Sequence, residues 1–230
     1  FLVIHQSQGT ERRNRVFLKD LQSAAPAAPL FDKFDGAYQI LGNDGDLFYV
    51  STDAGAPRGR VIAVDRHHPE PAAWKDIIPQ AANRDVIGEA SLLGNSLAIT
   101  WRIDALNVVK FYDLKGKFLR QVSMEGVGTL AGFGGERKDK DVFYSFTSYN
   151  LPPTLYRYDL KAAKSTIFRQ PKVDVKPTDF EVKEVFYPSK DGTKVPMFLA
   201  YKKGLKLDGT NPTLLYGYGG FNVPQMPGFS

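Results

Sequence analysis

The chain has no cysteine among its 230 residues, so it forms no disulfide and offers no thiolate ligand for zinc. That absence is compatible with cytosol and periplasm alike. Histidine is scarce too, limited to His5, His67 and His68. The last two lie near Asp65 and Glu70, but adjacent side chains of an extended strand point to opposite faces and build no metal cage. Oxygen ligands are not grouped at calcium-loop spacing either. No metal and no cofactor is expected. No apolar run approaches eighteen residues, which excludes a membrane-spanning helix, and no membrane partner is expected. Charge of one sign never accumulates. The formal net charge is +5, yet Glu11-Arg12-Arg13-Asn14-Arg15 and Glu136-Arg137-Lys138-Asp139-Lys140-Asp141 mix both signs. These read as solvated hairpin turns, which argues against a nucleic-acid partner. The start shows no signal peptide; Phe1-Leu2-Val3-Ile4 reads as the middle of a strand.

What is present is a repeat. Hydrophobic residues make up 43% and aromatics 13%, the latter mostly phenylalanine and tyrosine, which favour strands. Four short strands each close on an aspartate: Arg15 to Asp20, Arg60 to Asp65, Val108 to Asp113 and Thr154 to Asp159. Those aspartates are spaced by 45, 48 and 46 residues. Ahead of each lies another strand, beginning at Phe1, Leu47, Leu97 and Val142. In three units a further strand follows, at Trp74 to Ile78, Phe118 to Val122 and Ser165 to Phe168. Three units also have one ahead of the pair, at Ala37 to Leu41, Val86 to Leu92 and Thr129 to Phe133. Asn43-Asp44-Gly45, Leu93-Gly94-Asn95 and Leu114-Lys115-Gly116-Lys117 supply hairpin turns. Four-stranded units at this period predict β-propeller blades, three complete and part of a fourth. Each terminal aspartate is expected to open its turn through an Asx bond to the backbone. Arg58 and Arg60 around Gly59 suggest an inter-blade ion pair, and Trp74 and Trp101 suit a core or blade interface.

Pro171 to Phe180 reads as a linker. Beyond it, Phe180 to Tyr187 alternates cleanly and forms a two-stranded antiparallel hairpin with Val195 to Tyr201 around Ser189-Lys190-Asp191-Gly192-Thr193. Pro212-Thr213-Leu214-Leu215-Tyr216 then reads as a short buried strand running into the glycine-punctuated turn Gly217-Tyr218-Gly219-Gly220-Phe221-Asn222.

The run Phe186-Tyr187-Pro188-Ser189-Lys190-Asp191-Gly192-Thr193-Lys194-Val195-Pro196-Met197 resembles the prolyl oligopeptidase family of serine peptidases. Lys202-Lys203-Gly204, Leu207-Asp208-Gly209 and Tyr216 to Asn222 extend the resemblance. Residues 1–170 resemble the later propeller blades of that family more diffusely, best at Thr147-Ser148-Tyr149, Pro152-Pro153-Thr154 and Tyr156-Arg157-Tyr158-Asp159. The resemblance implies an all-β propeller part of about three and a half blades over residues 1–175. The first strands of an α/β-hydrolase sheet would follow over residues 176–230. It implies cleavage of short peptides after proline through an acyl-enzyme. It makes Tyr218 an oxyanion-hole donor, with Phe221 and Asn222 as substrate-binding residues. Gly217, Gly219 and Gly220 become structural glycines that permit positive φ or close approach. The serine, aspartate and histidine of a triad would lie outside the 230 residues, since no Gly-x-Ser-x-Gly occurs among them. The expected partners are short proline-containing peptides and the remainder of the hydrolase domain. Two alternatives stand: an oligopeptidase B-like enzyme cutting after basic residues, and a non-catalytic propeller that serves as a binding module.

Overall fold

A computed structural model describes residues 1–124, 126–221 and 223–230. Its strands form five small antiparallel sheets. The first holds β1 (Leu2–Ser7), β2 (Asn14–Lys19) and β3 (Ala28–Phe31). The second runs in chain order through β4 (Tyr38–Asp44), β5 (Leu47–Thr52), β6 (Arg60–Asp65) and β7 (Lys75–Ile78). The third contains β8 (Val86–Leu93), β9 (Ser96–Ile103), β10 (Leu106–Asp113) and β11 (Phe118–Gln121). The fourth contains β12 (Thr129–Gly134), β13 (Asp141–Ser148), β14 (Leu151–Asp159) and β15 (Lys164–Arg169). The fifth is the hairpin β16 (Phe180–Pro188) and β17 (Lys194–Lys202). Three sheets are thus complete four-stranded meanders of the kind that propeller blades are built from.

Side-chain alternation explains why these segments are strands. Along β2, Asn14, Val16 and Leu18 are buried while Arg15, Phe17 and Lys19 are partly exposed. Along β13, Val142, Tyr144, Phe146 and Ser148 point inward. Period-two burial of this sort aligns one whole face with a core, so a one-residue slip would turn every apolar side chain outward.

The chain divides into two compact units. One comprises Phe1–Trp101, Lys110–Arg120 and Glu136–Lys138. Its core joins Val16, Leu18, Leu30 and Phe31 to Phe48, Val50, Ile62 and Val64. Each of these buried side chains contributes about 1.5–3 kcal/mol by leaving water. The other unit comprises Arg102–Val109, Gln121–Gly135 and Asp139–Ser230. There Phe133 packs against Tyr144 and Tyr158 with ring centroids 5.3 Å apart in both pairs, and Tyr144 stacks on Tyr156 at 5.2 Å.

All four repeat aspartates make the expected Asx bond. Asp20 Oδ1 accepts from the Gln22 N–H at 3.0 Å, and Asp65 Oδ1 from the His67 N–H at 2.9 Å. Asp113 Oδ1 accepts from Lys115 and Lys117, and Asp159 Oδ1 from Lys161 and Ala162. These backbone donors hold the Asp113 and Asp159 carboxyls below the usual range, because they favour the charged form. The hairpin glycines Gly45, Gly94 and Gly116 have φ of 59°, 59° and 85°. Gly116 is constrained twice over: a Cβ there would lie 2.0 Å from the Ile77 carbonyl oxygen.

Three expectations need correction. First, the chain does not enter an α/β-hydrolase sheet. The described residues contain no α-helix, only two 3₁₀ turns at Pro71–Ala73 and Pro177–Asp179. Residues 203–221 and 223–230 contain no strand. The apolar run at 212–216 stays extended and unpaired, with Leu214 91% and Leu215 83% exposed. A buried central strand draws its stability from neighbours on both edges and helices on both faces, and this segment has neither. The resemblance across 176–230 therefore yields a hairpin and an irregular segment. Second, among the described residues Arg58 and Arg60 make no inter-blade ion pair. Arg60 Nη1 meets Asp76 Oδ1 at 3.1 Å between β6 and β7 of one sheet, and the Arg58 guanidinium donates to the Ala81 carbonyl at 2.8 Å. Third, the first unit has an outer strand that its sequence hides. β3 includes Pro29, which lacks a donor N–H and is tolerated because β3 is a sheet edge.

Candidate functional site

The segment 216–221 presents its side chains to solvent. Tyr216 is 74%, Tyr218 53% and Phe221 90% exposed. A Cβ at Gly220 would lie 3.1 Å from the Tyr218 hydroxyl oxygen, so the tyrosine folds back over that glycine. The Val223 N–H donates to the Gly220 carbonyl at 3.1 Å and closes the turn. Close approach thus accounts for Gly220. Gly217 and Gly219 meet no atom within 4 Å and do not have positive φ. The left-handed position falls instead on Phe221, at φ 56°, an uncommon conformation for a bulky residue. Asn222 lies outside the described residues. After it the chain docks on the fourth sheet: the Thr129 hydroxyl donates to the Pro227 carbonyl at 2.6 Å, and the Phe229 N–H to the Thr147 hydroxyl at 3.3 Å.

A second locus was not legible in the sequence. In the first unit a polar cleft of 530 Å³ opens where β4 and β8 begin. His5 of β1, Arg12 of the β1–β2 loop, Asn14 of β2, and Asp53 and Arg58 of the β5–β6 connection line it. Asn14 anchors its floor by imitating a strand rung. The Asn14 Oδ1 accepts from the Tyr38 N–H at 2.6 Å, while its Nδ2 donates to the Tyr38 carbonyl at 3.0 Å and lies 2.9 Å from His5 Nδ1. A buried amide with every polar atom engaged fixes the side chains around it. Asp53 Oδ1 accepts from the Ala37 N–H at 2.7 Å and ties the adjoining loop down. In the neighbouring turn, Arg13 Nη2 sits 2.6 Å from Glu11 Oε2 and holds that carboxyl down at about 2. The cleft residues span positions 5 to 88, so no local motif announces them.

His67 and His68 are exposed at the β6–β7 connection. His67 Nε2 stands 3.4 Å from Asp46 and His68 Nδ1 3.8 Å from Glu70. Among the described residues no three histidine, aspartate or glutamate side chains converge as metal ligands. No helix among them is long and apolar enough to cross a membrane.

The family model described as prolyl oligopeptidase, N-terminal beta-propeller domain, matches residues 1–171. The chain belongs to the prolyl oligopeptidase family. A prolyl endopeptidase of Elizabethkingia meningoseptica is 39% identical over 230 residues, covering 100% of this chain and 32% of the relative. A prolyl oligopeptidase of Dendrothele bispora is 35% identical over 221 residues, covering 92% of this chain and 30% of the relative. Among solved structures, a chain from a structural and mechanistic analysis of two prolyl endopeptidases superposes with a TM-score of 0.82 at 38% identity. That match covers 96% of this chain and 32% of the other. The apo prolyl oligopeptidase B of Galerina marginata gives a TM-score of 0.83 at 28% identity, covering 99% and 33%. The chain thus spans about a third of the length of the curated relatives it matches. Within this prolyl oligopeptidase-family chain, the repeat aspartates and blade turns fall inside the matched span, whereas Tyr218 and Phe221 fall beyond it.

Proposed function

We propose that this chain acts as the non-catalytic propeller module of a serine peptidase that cleaves short peptides after proline. The observation that carries this reading is the match of the family's propeller model to residues 1–171, over the same residues that fold as blade-like antiparallel sheets. No Gly-x-Ser-x-Gly nucleophile elbow occurs in the sequence, so in this reading the acyl-forming serine lies outside these residues. Its contribution is to screen peptides. The cleft lined by His5, Arg12 and Arg58 offers hydrogen-bond donors of the kind that engage extended peptide carbonyls. In this reading the module ends near residue 175.

A second role rests on the exposed, turn-held phenol of Tyr218. In the whole protein we assign its hydroxyl to an oxyanion site, with the Phe221 ring and Asn222 bordering the bound proline. A preorganised donor of this type is worth about 3–4 kcal/mol of transition-state stabilisation. Tyr218→Phe in the whole protein should then lower kcat by roughly 10²–10³-fold with KM little changed.

The test is cleavage of a mixed peptide library by the whole protein, read by mass spectrometry. Cuts on the carboxyl side of proline, confined to short peptides, are expected. Cuts after lysine or arginine would transfer the chain to the oligopeptidase B-like reading.

A further inference from the structure

The first unit contains a cavity of 310 Å³ between edge strand β3 and the connection that leads into edge strand β7. Its size suits a single side chain or a small ligand. Three aromatic rings form its wall. Phe31 and Tyr38 stack at 4.0 Å, and Trp74 stands edge-on to both, at 5.7 and 6.2 Å. This cluster is rigid. Phe31 and Tyr38 are 5% and 4% exposed, and the indole N–H of Trp74 donates to the Pro69 carbonyl at 2.8 Å.

The charge around these rings has one dominant sign. Asp32, Asp35 and Glu70 line the cavity against a single cation, Lys33. Asp35 is fixed in place because the Tyr38 hydroxyl donates to its Oδ1 at 2.6 Å. The neighbouring Arg60 does not line the cavity and pairs with Asp76 at 3.1 Å. Its guanidinium lies 5.4 Å from the Trp74 ring centroid, so this indole already accepts one planar cation.

We propose that this cavity is a peptide-binding subsite for an arginine side chain. An apolar stem lies along aromatic surface while a planar, weakly hydrated guanidinium meets both π-faces and fixed carboxylates. Three carboxylates against one lysine supply the charge complementarity that an uncharged side chain would waste. The subsite uses none of the residues of the polar cleft except Tyr38, which reaches that cleft through its backbone. It would hold a basic residue of a peptide away from any cleaved bond, and it stands whether or not the peptidase reading does.

The experiment follows the two tryptophan indole N–H signals of the chain by NMR during titration with acetyl-arginine amide, using acetyl-citrulline amide as the neutral control. Trp74→Phe assigns the signals. The expected result is a saturable shift of the Trp74 signal alone, with Kd on the order of a millimolar for so small a probe. Citrulline amide should bind about tenfold more weakly, and Asp35→Asn and Glu70→Gln should each weaken arginine binding by several-fold, about 3–10. Glu70 is exposed, so Glu70→Gln tests the charge requirement even if Asp35→Asn disturbs Tyr38. Absence of a saturable shift, equal binding of the citrulline probe, or folded Glu70→Gln binding as tightly as the parent would each overturn the proposal. Nothing in the titration depends on catalysis, so its failure leaves the peptidase reading untouched.

Discussion

Arg137 offers the sharpest test of how the blades are joined. It lies in the β12–β13 connection but belongs to the first unit, where it spans the turns of two other sheets. Its Nε–H donates to the Gly94 carbonyl at 2.9 Å and its Nη2 to Asn95 Oδ1 at 3.1 Å. Its Nη1 donates to the Asn43 carbonyl at 2.9 Å and to Asp44 Oδ1 at 2.6 Å. The Gly94 N–H returns a bond to the Arg137 carbonyl at 2.8 Å. Three neutral acceptors at about 1 kcal/mol each and one charged acceptor at about 2 kcal/mol would approach about 5 kcal/mol in a dry site. The Arg137 side chain is 35% and that of Asp44 46% exposed, so water replaces part of what is lost. Arg137→Ala should therefore cost about 2–3 kcal/mol. Arg137→Lys should recover less than half of that, because an ammonium has no planar fork to span both turns. The assay is urea unfolding read by tryptophan fluorescence, since Trp74 and Trp101 both belong to the same unit. A loss below about 0.5 kcal/mol, or a lysine variant equal to the parent, would refute the reasoning.

Further outcomes follow from single residues. The Arg137 guanidinium holds the Asp44 carboxyl below its ordinary value, so that pair's stabilisation is full above about pH 4 and fades as pH falls through the depressed pKa; the gap between parent and Arg137→Ala in urea midpoint should narrow in acid. Glu184 behaves oppositely. Burial, with Asp104 adding to it, raises its carboxyl, so the folded state loses stability as pH rises past the ordinary glutamate range. Glu184→Gln should raise the thermal midpoint at pH 7 and gain nothing near pH 4. Gly116→Ala should cost about 3 kcal/mol or more, for a left-handed Cβ driven into the Ile77 carbonyl. Gly94→Ala, equally left-handed but unobstructed, should cost only about 1 kcal/mol by calorimetry. Phe133→Ala removes a ring packed against Tyr144 and Tyr158 and should cost about 3–5 kcal/mol in chemical unfolding.

The inner strands were legible because their signals are local. Val142, Tyr144 and Phe146 alternate within one segment, and each repeat aspartate bonds a backbone N–H two residues on. β3 was not legible because Ala28 and Pro29 carry neither strand propensity nor a full set of donors, and only pairing with β2 makes them a strand. The opposite error occurred at Leu214 and Leu215. An apolar run resembles a buried strand, yet burial requires partners that lie elsewhere in space. Candidate loci divide the same way. The Tyr218 turn is contiguous and was readable as a motif. The Asn14 cleft and the Phe31–Tyr38–Trp74 cavity are assembled from several strands and connections. Arg137 gave no sign of its role because three of its acceptors are two backbone carbonyls and an amide, in turns far along the chain.

The central claim is that these residues form a screening module whose catalytic serine lies elsewhere in the protein. Labelling the whole protein with a fluorophosphonate and mapping the modified peptide by mass spectrometry tests it most directly. The account predicts one modified serine, in no peptide drawn from residues 1–230. A stoichiometric adduct on any serine within these residues would contradict it.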